Sequence, residues 1–280
     1  MSSGIRSLPL RSQPSLVGLL PGCMLAGLAV SAGAWYSLKN IGAPPDAYVF
    51  GSLFFSLNIA FLSTFFSLIL GTGLALWLWN QNSWLPSQLY TIPLILPHIV
   101  AAFFVVIFFS QSGILSSLLY HLRIIKDLQD FPVLVFDNGG TGIILAYVYK
   151  ETAFVSLLVL ASLRKIPAAL IQTSFMLGAS RMRTARKVIL PHISPTLWIV
   201  GIIIFLYSFG AYDIPYLIGS GSRPMVSIEA YRLFFEGSIA QRPMAHTLLF
   251  IVWVISLAFL IVFILIRTLF SRRSDQEHSL

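Results

Sequence analysis

Two charged residues lie in the middle of a long apolar stretch. Lys150 and Glu151 fall near the centre of the segment from about residue 142 to 163. A carboxylate there could attract a cationic solute, or either side chain could pair with a neighbouring helix and hold a bundle together. Because adjacent residues lie about 100° apart around a helix, the two are not expected to pair with each other.

A second carboxylate, Asp213, precedes Pro215 at the end of another apolar stretch. It fits either a solute path or an acid that caps or solvates the kink at Pro215. Tyr207, Tyr212 and Tyr216 could line a path for a cation through their ring faces, although aromatic packing uses the same residues. The candidates for the substrate path are Glu151, Asp213, Tyr212 and Tyr216.

The sequence does not indicate metal or nucleophile chemistry. His98 has no other His or Cys nearby, and Cys23 is the single cysteine, so neither a metal site nor a disulfide within the chain is predicted. Ser52 and His98 stand in no recognisable catalytic motif, which disfavours an intramembrane enzyme. There is no Gly-x-x-x-x-Gly-Lys-Ser/Thr run, so the chain is not expected to hydrolyse ATP itself, and no cofactor is predicted for it.

Composition predicts an integral membrane protein. Hydrophobic residues make up 57% of the chain and charged residues only 10%, and the mean hydropathy is +0.84. The net charge of +8 does not require a nucleic-acid partner, because the cations gather at the ends of apolar stretches and in one loop. No internal repeat is visible, which weighs against secondary transporters built from inverted halves.

Six apolar stretches are each long enough to cross a ~30 Å hydrocarbon layer. They run from about 16–38, 48–79, 90–110, 142–163, 196–218 and 247–270. Pro93 and Pro97 predict a kink near the start of the third. Apolar residues recur at three- and four-residue steps over 114–125, which predicts an amphipathic helix on the membrane surface. The predicted fold class is an all-α polytopic membrane protein with six transmembrane helices.

The distribution of charge predicts the orientation. The expected organisation is an N-terminal tail over 1–15, one transmembrane domain over 16–270 that includes a basic loop at about 164–195, and a C-terminal tail over 271–280. Eleven Lys and Arg residues fall in the segments assigned to the inside and six in those assigned to the outside. This bias predicts that both termini are cytoplasmic.

The basic loop contains a predicted short helix. The stretch Ala161–Pro195 has six cations and no acid. Pro167 suits a first helical turn, and Gly178 is placed to end the helix.

This stretch resembles the cytoplasmic loop of ABC-importer permease subunits, whose signature reads roughly I-P-x-x-L-x-E-A-A, then L-G-A, then L-P-x-x-x-P. The matching positions are Ile166, Pro167, Leu170, Leu177, Gly178, Ala179, Ser180, Val188, Leu190, Pro191 and Pro195. The chain departs from the signature at Gln172, Thr173 and Ser174, where the family has Glu-Ala-Ala. The segment FGAYDIPYLIG at 209–219 is similar to a pattern in permeases of the polyamine, ferric-iron, thiamine and sulfate importers.

The resemblance implies a non-catalytic permease subunit of an ATP-driven importer in the bacterial inner membrane. By resemblance, the residues that couple to a separate ATPase, which binds ATP and Mg, are Pro167, Leu170, Gln172, Thr173, Ser174, Leu177, Gly178, Ala179, Ser180, Leu190 and Pro191. The implied partners are ABC ATPase subunits, an identical or homologous second permease and an extracytoplasmic solute-binding protein, all in a lipid membrane. The expected substrate is a small cation or chelate such as a polyamine, iron or thiamine. A stand-alone secondary transporter or channel is the alternative.

Overall fold

The computed structural model of this chain describes residues 16–42, 47–81 and 90–277. Within these ranges every regular element is helical, which confirms the all-α class. In chain order the helices are α1 (Leu16–Lys39), α2 (Ala47–Trp79), α3 (Ile92–Ile95), α4 (His98–Phe109), α5 (Ile114–His121), α6 (Thr141–Leu163), α7 (Ala168–Met176), α8 (Arg181–Gly210), α9 (Asp213–Ile218), α10 (Val226–Tyr231) and α11 (Arg242–Glu277). Short 3-10 turns occur at Leu128–Asp130 and Ile239–Gln241, and π-helical turns at Ala185–Ile189 and Arg232–Glu236.

Five helical stretches in the described part of the chain are long and apolar enough to cross a membrane. They are Tyr48–Trp79, His98–His121, Thr141–Leu163, Arg181–Gly210 and Ile239–Leu265. The first predicted span corresponds to α1, a 24-residue helix outside these five, so the count of six stays a prediction. The predicted tail over 1–15 lies outside the described residues, and α11 continues past residue 270 to Glu277.

The third predicted span is interrupted rather than only kinked. Helix α3 ends at Ile95, and Leu96 and Pro97 are extended before α4 begins at His98. Proline disfavours helical geometry in the residue before it and cannot donate a backbone hydrogen bond, which explains a break at this point. The amphipathic helix predicted over 114–125 is present as α5 and ends at His121, and its position on the membrane surface stays a prediction.

The fifth predicted span, 196–218, has different limits in the structure. Helix α8 starts at Arg181 and ends at Gly210, and α9 is a separate short helix. Pro191 lacks the N–H that would bond to the carbonyl four residues earlier, and the preceding turn, Ala185–Ile189, is π-helical. The helix therefore passes through Pro191 and Pro195 instead of starting after Pro195.

Helices α2 and α6 form the centre of the bundle and run parallel, since Ile59 packs near Ile143 and Leu78 near Leu163, and α8 packs against both. The contact is close because of Gly71, where an added Cβ would lie 2.5 Å from the Cβ of Val155. One buried cluster joins the end of α2 to the end of α6 and the start of α8 through Leu78, Leu163 and Ile193. We call this the α7 end of the bundle.

The opposite end, which we call the distal end, has its own buried cluster. Ile59 of α2 packs there with Ile143 at the start of α6 and with Ile218 of α9. The two ends thus expose different loops, which sets the α7 loop apart from the loops around residues 138 and 222.

Candidate functional site

The end of helix α7 is fixed by a glycine-dependent hydrogen-bond pattern. The backbone N–H of Ala179 donates to the carbonyl of Ser174 at 3.0 Å, and that of Gly178 donates to the carbonyl of Phe175 at 2.9 Å. This pair of bonds is a Schellman motif, which requires a left-handed residue. Gly178 has φ +77°, so the prediction that it ends the helix is confirmed.

Helix α7 presents apolar side chains that nothing in the described chain covers. Met176 and Leu177 are 87% and 82% exposed, and Leu170 and Phe175 are also exposed. Large apolar side chains clustered on a loop outside the spans indicate a surface for a protein partner. The position of this surface next to the Schellman motif means that Gly178 sets the direction in which Leu177 points.

The remaining predicted coupling residues divide into exposed and anchoring positions. Gln172, Thr173, Leu190 and Pro191 are exposed, Ala179 is half-buried, and Pro167 is the N-cap residue of α7. Ser180 is the N-cap residue of α8, and its hydroxyl accepts from the backbone N–H of Arg183 at 3.3 Å.

Ser174 is an anchor rather than a free surface residue. Its hydroxyl donates to the carbonyl of Ile171 at 2.8 Å and lies 2.9 Å from the hydroxyl of Thr184 in the first turn of α8. Thr184 is 2% exposed. Sequence reasoning missed Thr184, because its link to Ser174 spans ten residues and no local pattern marks it. The bond ties α7 to the first turn of a membrane-spanning helix.

Glu151 is buried at the centre of the bundle. It is 5% exposed, and its two carboxylate oxygens accept hydrogen bonds from different helices. Ser67 of α2 donates to one oxygen at 3.0 Å, and Ser208 of α8 donates to the other. Within the described residues it has no cationic partner, so this three-helix node is held by hydroxyl groups alone.

Lys150 has a different partner, as the helix geometry predicted. Its ammonium group donates to the carbonyl of Leu96, in the break between α3 and α4. That carbonyl lies at the end of α3, where the helix supplies no further backbone N–H to bond to it. The side chain therefore joins α6 to the interrupted helix and does not meet Glu151.

The distal candidates lie apart from Glu151. Asp213 is exposed at the start of α9, and the rings of Tyr212 and Tyr216 stack with their centroids 5.0 Å apart. Tyr231, which sequence reasoning missed, completes the cluster with its centroid 4.9 Å from that of Tyr212. In the described part of the chain no hydrogen bond joins Asp213 to Glu151. Of the four predicted path residues, the structure brings Tyr212 and Tyr216 into direct ring contact.

Another polar contact links the interrupted helix to α8. The hydroxyl of Tyr207 lies 3.0 Å from the ring nitrogens of His98. Among the described residues no group of three or more His, Cys, Asp or Glu residues could hold a metal ion, so no metal ligands are assigned.

Comparison with known proteins decides the family. The sequence profile described as binding-protein-dependent transport system inner membrane component matches residues 67–276. The chain belongs to this family. The predicted resemblance to ABC-importer permeases is therefore confirmed, and the matched range includes α7 and the Glu151 node.

The relatives of this permease are themselves transport permeases, and some of their names state a solute. It is 27% identical over 219 residues to the inner membrane ABC transporter permease protein YdcU of Escherichia coli (strain K12), a match that covers 75% of this chain and 69% of YdcU. It is 25% identical over 198 residues to the spermidine/putrescine transport system permease protein PotB of Salmonella typhimurium (strain SL1344), covering 68% of this chain and 66% of PotB.

The same permease fold occurs in a solved transporter. A crystal structure of a bacterial alginate ABC transporter, in complex with an alginate pentasaccharide-bound periplasmic protein, contains a chain that is 21% identical to this permease. The TM-score is 0.71, and the match covers 92% of this chain and 93% of that chain. At this identity the likeness shows the fold of the permease and not its solute.

Proposed function

We propose that this permease forms the solute path of an ATP-driven importer and couples to a separate ATPase through residues 166–191. The observation that carries the proposal is the exposed apolar surface of Met176 and Leu177. These residues lie at the end of α7, which a Schellman motif terminates and which lies outside the spans. Burying apolar area of this kind gains about 25 cal/mol per Å². The Ser174–Thr184 bond would pass a displacement of α7 to α8, because it joins the two helices directly.

The alginate transporter structure supports the kind of partner expected. It contains an alginate pentasaccharide-bound periplasmic protein, and membership of a binding-protein-dependent family points the same way. We extend this to a complete complex with two ATPase subunits, a second permease and an extracytoplasmic binding protein. The ATPase would bind ATP and Mg, which leaves this chain without a catalytic role. Both termini would be cytoplasmic, as the charge bias indicates.

The proposed substrate is a small cation or chelate such as a polyamine, iron or thiamine. Asp213 is exposed and follows Tyr212 in the chain, and the ring of Tyr212 stacks on that of Tyr216; carboxylates and aromatic faces both attract cations. Glu151 would act on the solute path from inside the bundle, where both of its oxygens accept hydrogen bonds from serine hydroxyls. The relationship to PotB supports this class.

A pull-down of the tagged chain from its native membrane in mild detergent tests the coupling role. The expected result is a co-purifying P-loop ATPase that is lost with Leu177→Asp. Ile239→Asp is the matched control, because Ile239 is 79% exposed at the distal end and should keep the ATPase. A chain that is extracted from the membrane folded but without partner proteins, and that transports solute without ATP in liposomes, would establish the stand-alone transporter instead.

Competition uptake tests the substrate. Labelled spermidine, thiamine and ferric chelates are compared with neutral sugars in cells that express the whole system. Asp213→Asn should lower the uptake of a cation and leave ATPase attachment unchanged. Uptake of a neutral or anionic solute that does not respond to Asp213→Asn would remove the cation assignment while keeping the coupling role.

A further inference from the structure

Two neighbouring cavities at the distal end share one arginine. The larger, of about 500 Å³, lies between the first turns of α2 and the loops around residues 138 and 222. The smaller, of about 60 Å³, lies beside α9 and α10. Arg223 lines both cavities, and Arg232 lines the smaller one.

The two arginines form a basic site. In the described part of the chain neither guanidinium makes an ion pair with a carboxylate. Two cations at one small cavity repel each other unless an anion lies between them. Guanidinium groups bind phosphate through paired, charge-assisted hydrogen bonds. A cavity of this size and charge fits a single phosphate group.

The larger cavity adds hydrogen-bonding groups to this basic site. The hydroxyl of Ser222 donates to Oδ1 of Asn138, which leaves the amide Nδ2 of Asn138 as a donor. Asn58, on α2, also lines the cavity. These groups suit the oxygen atoms of a polar headgroup.

The other side of the larger cavity is apolar and reaches an exposed apolar surface of α2. Phe54 lines the cavity and is 72% exposed, and Phe61 and Phe65 follow on the same helix at 61% and 49% exposure. Their spacing of seven and four residues places them on one face. Gly51 also lines the cavity, and a Cβ added there meets nothing within 4 Å. The cavity therefore has a charged end and an open apolar end at a spanning helix.

We propose that these two cavities bind one anionic phospholipid of the surrounding membrane. The phosphate lies between Arg223 and Arg232, the amide of Asn138 contacts the headgroup, and an acyl chain passes Gly51 and follows Phe54, Phe61 and Phe65. A lipid satisfies both ends of the site at once, whereas a free oxyanion would leave the apolar end exposed. Tyr216, a residue of the proposed solute path, also lines the smaller cavity, so the lipid would lie beside that path.

Native mass spectrometry of the intact complex, purified in detergent with added phosphatidylglycerol, tests the proposal. Arg223→Gln and Arg232→Gln should each lower the occupancy of bound phosphatidylglycerol about tenfold, since each removes a charge-assisted contact to phosphate. Gly51→Phe should also lower it, because the new ring occupies the path of the acyl chain and leaves both arginines in place. Arg242→Gln is the matched control, since Arg242 lies at the same end over the ring of Phe234.

Three results would overturn the proposal. Lipid retention that is equal in the arginine variants and in Arg242→Gln would show that the basic site does not hold the lipid. Inorganic phosphate that displaces phosphatidylglycerol at equal concentration, with no effect of Gly51→Phe, would show a site for free oxyanions. A cross-link from residue 223 to a second protein chain in the native membrane would show a protein interface.

Discussion

Helix α7 and the Glu151 node are specified in different ways. Helix α7 and its glycine end are built from residues that are adjacent in sequence, and the apolar side chains there are exposed. The node joins residues 67, 151 and 208 on three helices, and it is buried. We therefore expect changes in helix α7 to affect coupling with little loss in the stability of the bundle. Changes at the centre of the bundle should affect stability first.

Gly178→Val should have the largest effect on transport. Valine at φ +77° costs about 1–3 kcal/mol of local strain, so the Schellman motif opens and Leu177 loses its direction. We expect coupled uptake and ATPase attachment to be lost, measured by solute uptake and by pull-down, while membrane insertion is kept.

Gly178→Asn is the control for that variant. Asparagine tolerates left-handed geometry, and a Cβ at this position meets nothing within 4 Å. Uptake should therefore be largely retained. If the Gly178→Val variant takes up solute as well as the Gly178→Asn variant, coupling does not depend on the left-handed backbone at residue 178. The contrast between α7 and the Glu151 node would then not hold for α7.

Gly71→Val should cause the largest loss of stability. Its Cβ would lie 2.5 Å from the Cβ of Val155 and 2.9 Å from the carbonyl oxygen of Thr152. Forcing α2 and α6 apart costs about 3 kcal/mol. The measurement is thermal unfolding in detergent. Gly73→Val is the control, because a Cβ at Gly73 meets nothing within 4 Å, and equal unfolding of the two variants would contradict the close contact.

Removal of both serine hydroxyls should test the node itself. Ser67→Ala with Ser208→Ala leaves the Glu151 carboxylate without these two donors, and we expect a loss of about 2 kcal/mol in the free energy of unfolding. A double-mutant cycle measures how far the two changes depend on each other.

Thr152→Val is the control for the node. Its hydroxyl is buried with no hydrogen-bond partner, so its removal should be neutral or slightly stabilising. A larger loss from Thr152→Val than from the two serine variants would show that Glu151 is not the centre of the node.

Ser180→Ala should have the smallest effect. It removes the N-cap hydrogen bond to the backbone N–H of Arg183 and costs about 1 kcal/mol at the first turn of α8. Limited proteolysis of the α7 loop should become faster, with thermal unfolding of the bundle unchanged. Ser180→Asp keeps a capping oxygen, so its proteolysis rate should stay near that of the original chain.

The sequence predicted the elements that depend on local chemistry. Gly178 ends α7 because only a residue that tolerates positive φ completes the Schellman motif. The limits of α2 and α6 also followed from apolar length. The break at Leu96 was expected only as a kink. Proline can either bend or interrupt a helix, and the groups that bond to the freed backbone carbonyls decide which occurs. Here the ammonium group of Lys150 satisfies the carbonyl of Leu96.

The amino-acid sequence by itself determined the membrane class, the α7 helix with its glycine end, and the family. Each depends on composition or on residues a few positions apart. Only the tertiary structure decided that Glu151 bonds to serines on α2 and α8, that Ser174 is tied to Thr184, and that Arg223 and Arg232 line the same cavity. Ser67 and Ser208 lie far from Glu151 in the chain, and only the way the helices pack brings them together.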